Sequence, residues 1–259
     1  MTSSITNYKL LTSNVSRTMT QLSSQPEIKR EVEYYKANIT KIKTIDDFLG
    51  NQRIYNFAMT AFGMKDLIYA KGMIRKVLTE GVDSPNAFAM TLTDQRFRDL
   101  ASTFDFKKLG STATIFDRAQ QGTVDKYMQN ALEEKAGQSS EAVRLAVYFD
   151  RKAPSLSTIY GILGDKAVYA VVRTALGLPD SLAGTDIDKQ AKLIGSRINI
   201  DDFKDPAKRA AFITRYLGMN DAKTNAAETN PSVSLFSGIS GRIDMNTLLS
   251  IQTLKRFGS

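Results

Sequence analysis

The chain has 259 residues, of which 35 are basic and 27 are acidic, so its formal net charge is +8. It contains no cysteine and no histidine, which excludes disulfide frameworks, thiolate nucleophiles, serine–histidine triads and the usual zinc sites. Catalysis or metal binding by carboxylates alone is still possible, because some metal ions need only oxygen ligands. The positive net charge favours anionic partners.

Residues 1–25 form a segment of unusual composition, with eleven Ser or Thr residues and no acidic residue. Apolar side chains still recur at steps of three or four, which predicts a weak helix that needs a partner to become ordered. One interpretation is an N-terminal helix that packs on its own domain. The other is an arm that pairs with another subunit, or an export signal. The candidate interaction residues are Ile5, Tyr8, Leu11, Val15, Met19 and Leu22.

The next stretch begins with Pro26, which is typical of the first helical position, and predicts a helix as far as Ile42. Thr44 and Asp47 then have the spacing of a capping box at the start of another helix. Paired acidic residues such as Asp46 and Asp47 also suggest acid–base or metal chemistry. Because adjacent residues point to different faces of a helix, we interpret them as capping residues.

The region from Glu27 to Met64 occurs a second time, from Glu141 to Leu178, at a constant offset of 114 residues. Eleven of the 38 aligned positions are identical. In each copy an amphipathic helix is predicted, starting at Asn51 or Asp165 as N-cap and ending at a glycine. A repeat at a fixed offset predicts one helical unit used twice.

Helices are also predicted outside the repeat from apolar spacing and capping residues. One opens at Thr93 or Asp94, and another runs from Pro206 to Gly218. The others cover residues 67–79, 86–90, 112–121, 123–135 and 182–195, with a break at 137–140.

The C-terminal part changes character, because residues 220–242 are rich in small and polar residues and predict an extended or mobile linker. A final helix is predicted at 243–259. Its apolar seam supplies further candidate interaction residues, namely Met245, Leu248, Ile251 and Leu254.

The predicted class is all-α, because no alternating strand pattern is present. We expect a duplicated helical unit that forms one or two packed subdomains, with helical arms at both ends. The predicted segments are an arm at 1–25, a first repeat at 26–136, a second repeat at 137–219, a linker at 220–242 and a C-terminal helix at 243–259.

The sequence predicts no catalytic residue, cofactor or metal. The stretch from Gly161 to Lys166 faintly resembles a phosphate-binding loop, but it lacks the four-residue spacer and the Gly-Lys-Ser/Thr ending. An enzyme that uses carboxylates such as Asp46, Asp47 and Asp165 is the remaining catalytic hypothesis.

Three features together resemble a bacterial family of unknown function, number 1217. They are the repeated Tyr-x5-Ala-x-Gly unit, the Ser/Thr-rich opening at Thr2–Thr6 and the ending from Leu248 to Lys255. The resemblance implies an alphaproteobacterial protein that is associated with flagellar gene regions. The family supplies no catalytic residues that could be assigned to positions in this chain.

We therefore expect a non-enzymatic structural or assembly protein linked to the bacterial flagellum, with flagellar components or further copies of itself as partners. The alternative is a binding module for an anionic partner, either nucleic acid or an acidic protein. Because the basic residues are scattered, we do not expect nucleic acid to be that partner. No apolar run is long enough to span a membrane and no signal peptide is evident, which predicts a cytoplasmic protein or one exported by the flagellar apparatus.

Overall fold

The computed structural model of the protein describes residues 3–229, and this part of the chain is helical with no β-strand, which confirms the all-α class. The first α-helices are α1 Ser4–Thr12, α2 Val15–Ser23, α3 Pro26–Asn38, α4 Ile45–Gly50, α5 Gln52–Ala61, α6 Lys71–Glu80, α7 Phe88–Thr91, α8 Arg96–Phe104 and α9 Phe106–Leu109. The later ones are α10 Gln121–Ser139, α11 Glu141–Lys152, α12 Ile159–Leu163, α13 Lys166–Ala175, α14 Ile187–Gly195 and α15 Pro206–Thr229. Short 3-10 helices lie at Ile39–Lys41, Lys65–Leu67, Gly110–Thr112, Asp117–Ala119, Ala153–Ser155, Asp180–Gly184 and Ile200–Phe203.

A first hydrophobic core lies among α3 to α9 and the start of α10, and eight of its 25 buried residues are aromatic. The rings of Tyr35 and Phe57 stack with their centroids 4.2 Å apart, and the Phe48 and Phe104 centroids are separated by 4.7 Å. The Tyr35 hydroxyl is buried and donates to the Ala119 carbonyl at 2.6 Å. This bond satisfies the polar end of a fully buried ring.

A second core lies among α11 to α15, and its apolar residues are mainly aliphatic. Its aromatic part is a cluster in which the Phe203 ring lies 5.1 Å from Phe149 and 5.0 Å from Phe212. Tyr8 and Leu22 also belong to this core, although they lie at the opposite end of the sequence. The N-terminal arm therefore packs on the second core of its own chain.

Helix α10 joins the two cores, with Val124 buried in the first and Leu132 and Ala136 buried in the second. The break predicted at 137–140 is confined to Ser140, because α10 continues through Gly137 to Ser139 and α11 begins at Glu141. A Cβ atom at Gly137 would lie 3.0 Å from Cδ of Arg144. The glycine thus leaves room for the Arg144 side chain against α10.

Local geometry recurs at the two stretches related by the offset of 114. The Thr44 and Thr158 hydroxyls accept hydrogen bonds at the starts of α4 and α12, and the Asn51 and Asp165 side chains do so at the starts of α5 and α13. After α5 and α13, Gly63 and Gly177 have φ angles of 68° and 63°. Each glycine donates its N–H to the carbonyl three residues earlier. Duplication of the whole unit stays a prediction, and superposing the two backbones would test it.

Several predicted helix bounds are wrong. Residues 112–121 are not an α-helix, because side chains hold this backbone in turns: the Thr114 hydroxyl donates to the Ile42 carbonyl at 2.8 Å, and the Gln120 amide donates to the Ile115 carbonyl at 2.8 Å. Helix α6 begins only at Lys71, and Met73 on it is exposed rather than turned inward. Helix α14 likewise begins at Ile187, later than predicted, because Asp186 caps it.

The last described helix also differs from its prediction, because α15 continues through Gly218 to Thr229 and includes the start of the predicted linker. The polar side chains there bind to the body: Lys223 lies 3.1 Å from Asp180, and Asp221 accepts from the Ser4 amide at 3.1 Å. These contacts stabilise a helix that composition alone disfavours. The rest of the predicted linker and the predicted helix at 243–259 lie outside the described residues.

Candidate functional site

The predicted interaction residues of the N-terminal arm lie mostly against the second core. Tyr8 and Leu22 are buried, the latter with 2% of its surface exposed, and Ile5, Leu11 and Met19 are half-buried there. Val15 is the exception, with 38% of its surface exposed. The interpretation that the arm packs on its own domain describes this placement. The role of these six residues in binding a partner stays a prediction.

A carboxylate on α11 fastens the middle of α1 to the body. Asp150 accepts a hydrogen bond from the Tyr8 hydroxyl at 3.0 Å and another from Nε of Arg209, on α15, at 2.6 Å. Burial raises the pKa of the Tyr8 phenol, and the Asp150 charge raises that pKa further. The phenol is therefore a stable neutral donor, and Asp150 links three helices.

A second carboxylate holds the start of α1. Asp221 of α15 accepts from the backbone N–H of Ser4 at 3.1 Å and from the Ser3 hydroxyl at 3.4 Å. The N–H groups at a helix start lack partners within the helix and carry partial positive charge. Asp221 satisfies one of them and opposes that charge, so it fixes where α1 begins on the body.

Sequence reasoning missed the residues that receive the arm, namely Asp150, Arg209 and Asp221. The Tyr8–Asp150 pair is separated by 142 positions and the Ser4–Asp221 pair by 217. No spacing rule connects such distant residues. The one available signal was a tyrosine within an apolar seam, because a buried hydroxyl requires a hydrogen-bond partner. The C-terminal candidates Met245, Leu248, Ile251 and Leu254 lie outside the described residues.

A buried polar cluster lies where the two cores meet. Glu133 on α10 is buried and accepts from Nε of Arg151, on α11, at 2.7 Å. Burial raises the pKa of the Glu133 carboxyl, and the Arg151 charge opposes this shift. Beside it, the Tyr148 hydroxyl donates to Asp165 at 2.6 Å. The cluster joins α10, α11 and α13 and thus fixes the orientation of the second core.

A groove with a volume of about 770 Å³ lies between the α2–α3 connection, α5 and α10. Its charges are of both signs and pair with each other: Arg53 lies 3.0 Å from Glu31, and Lys65 lies 3.4 Å from Glu134. No group of acidic residues suited to a metal ion occurs in the described part of the chain. These ion pairs join neighbouring helices across the groove.

The carboxylates that were candidates for catalysis are engaged in local structure. Asp46 pairs with Arg75 at 2.6 Å and so joins α4 to α6. Asp47 completes a capping box, in which hydrogen bonds from the Lys43 and Thr44 backbones lower the pKa of its carboxyl. Asp165 caps α13 and accepts from Tyr148. The structure therefore does not bring these three together in one site.

The family of this chain is shown by its sequence. Residues 61–208 match the family described as "Protein of unknown function (DUF1217)". The chain belongs to this family. The match confirms the family suggested by the sequence motifs. It contains Glu133, Asp150 and Arg151, whereas Tyr8 and Asp221 lie outside it.

A crystal structure from Agrobacterium tumefaciens, of protein AGR_C_984, is similar to this chain in sequence and in fold. The identity is 41% and the TM-score is 0.78, over 84% of this chain and 93% of the other. No curated protein matches the chain. None of the helices within residues 3–229 is both long and apolar enough to cross a membrane.

Proposed function

We propose that the protein is a non-enzymatic helical structural or assembly protein, linked to the bacterial flagellum, that acts by presenting helical surfaces to protein partners. The observation that carries the proposal is that the carboxylates considered for catalysis have structural contacts. Asp46, Asp47 and Asp165 cap helices or join them through an ion pair or a tyrosine. Such use supports a scaffold rather than a reaction centre.

The arm supports the same proposal. It begins before the segment matched by the family, and it packs on the second core through Asp150 and Asp221. A helical segment on the surface of a rigid body is well placed to present a docking surface. The flagellar link rests on the resemblance of the sequence motifs.

Separate removal of residues 1–25 and 243–259 from the full chain in the source bacterium tests this function. We expect either truncation to reduce flagellar assembly and swimming. Because the first truncation also uncovers the second core, its control is the conservative change Tyr8→Phe, which keeps the ring. Unchanged assembly and swimming in both truncated strains would refute the proposal.

A binding module for an anionic partner is the second candidate, and the charge of the arm favours it. The arm carries Lys9 and Arg17 but no acidic residue through residue 25. Retention on heparin or DNA that falls steeply with added salt would support this candidate, because phosphate contacts release counterions. No retention at low salt would refute it.

A further inference from the structure

The bend between α1 and α2 presents an apolar and cationic surface, which we call the elbow and define as Lys9, Leu10, Val15 and Arg17. Leu10 has 75% of its surface exposed and Val15 has 38%. Lys9 and Arg17 are exposed and have no ion-pair partner among residues 3–229. The elbow therefore combines uncovered apolar area with two unpaired positive charges.

A second surface has the opposite charge. We call it the corner and define it as Tyr160, Asp186, Ile187 and Asp188, where α12 meets the start of α14. Tyr160 has 54% of its surface exposed and Ile187 has 55%. The Tyr160 hydroxyl donates to Asp188 at 2.7 Å, which holds the ring beside α14. Two carboxylates next to one lysine, Lys189, leave this turn with a negative balance.

We propose that the elbow of one copy docks on the corner of a second copy, so that the chain assembles head to tail. Each surface has two exposed apolar side chains, and the charges around them are complementary. Docking would cover all four apolar side chains and bring Lys9 and Arg17 near Asp186 and Asp188. This inference rests on the proposed assembly function, and it names a second copy of the chain as the partner that the elbow binds.

The contact must form between copies rather than within one chain. The bonds to Asp150 and Asp221 hold α1 on α11 and α15, and in this docked position Leu10 and Val15 remain uncovered. Because elbow and corner are different surfaces, each docked pair still has one free elbow and one free corner. Such a heterologous contact generates rings or open filaments rather than closed dimers.

The size of the contact sets its strength. Two apolar side chains on each side bury much less surface area than a stable protein–protein interface does, so we expect a weak association. Exposed charge pairs add orientation more than affinity, and salt screens them. Association should therefore rise with protein concentration and fall with added salt.

Sedimentation velocity of the full chain, across a wide range of concentration at low and high salt, tests the first expectation. The average mass should increase with concentration at low salt and return to that of a single copy at high salt. A single copy at every concentration would overturn the proposal.

Charge exchange tests which surfaces are in contact. The double variant Lys9→Glu/Arg17→Glu and the single variant Asp188→Lys should each fail to associate alone. Mixing them should restore association, because the acidic elbow of one then faces the basic corner of the other. The matched control is Lys36→Glu/Lys43→Glu, which changes net charge equally at two exposed lysines of the first half and should associate like the original chain.

Loss of association in the control as well would show that net charge rather than the elbow is responsible, and no recovery on mixing would show that the elbow does not dock on the corner. Circular dichroism of each variant checks that it is folded. The swimming assay is independent of this result. If truncation of the arm stops swimming but the full chain never self-associates, the contact between elbow and corner is refuted and the assembly function is not.

Discussion

Replacement of Leu22 by Ala should destabilise the protein strongly, even though Leu22 lies in a segment of poor helix-forming composition. The side chain has almost no exposed surface and packs within the second core. Leu→Ala changes at such sites remove transfer free energy and leave a cavity, at a cost of about 3 kcal/mol. That loss is observed in full only if the arm unfolds together with the core. If the arm opens on its own, the cost is limited to the free energy of that local opening.

The matched control is Val15→Ala, because Val15 lies in the same arm but is partly exposed at the bend. Its cost should be within about 0.5 kcal/mol, as for most surface changes. Urea unfolding followed by circular dichroism should give a lower midpoint for Leu22→Ala with an unchanged slope. Equal midpoints for the two variants would contradict the docked arm, because they would show that Leu22 gains nothing from the second core.

Three further outcomes are expected. Tyr8→Phe should cost about 1–2 kcal/mol in urea unfolding, since it removes a hydrogen bond to the Asp150 carboxylate and keeps the ring; no loss would mean that this bond is absent in solution. The raised pKa of Glu133 contributes stability that is present below its ordinary value of 4.5 and is lost as pH rises through the raised value. Glu133→Gln should therefore flatten the dependence of unfolding free energy on pH above 4.5, and an unchanged pH profile would contradict the burial of Glu133. Gly63→Ala and Gly177→Ala should each lower stability by about 1–2 kcal/mol in thermal unfolding, because both residues have positive φ and an added Cβ meets no atom within 3.3 Å; markedly unequal losses would show that the two glycines differ in role.

Local physics made parts of the fold predictable. Thr44 and Asp47 form the predicted capping box, and Asn51 and Asp165 cap the helices that follow. These signals depend only on residues within one turn, so the surrounding structure has little influence on them.

Helix ends set by tertiary contacts were not predictable in the same way. Gly137 and Gly218 both indicated a helix end, yet α10 and α15 continue through them. A glycine within a helix costs only about 1 kcal/mol, which packing against a neighbouring helix readily exceeds. In α15 the contacts of Asp221 and Lys223 with distant residues supply that stabilisation.

In the candidate site, the residues of the arm were predictable from the sequence and the residues of the body that contact them were not. The apolar seam of the arm showed which residues require burial, and Tyr8 and Leu22 are the two that achieve it. The residues that hold the arm could not be predicted, because no local sequence pattern distinguishes Asp150 and Asp221 from other acidic residues. Their role arises from a fold that brings α11 and α15 together with the first helix of the chain.

The composition of the two cores gives a physical reason why the second one includes the arm. At positions related by the offset of 114, the first core has Phe48, Phe57 and Phe62 where the second has Ile162, Val171 and Leu176. Smaller side chains cover less apolar surface, and a core closed by α11 to α15 alone would leave more of it in water. The arm adds the buried side chains of Tyr8 and Leu22 at this place. An arm that completes a core has its buried face committed there, which leaves the exposed elbow as the part of it that is free to bind.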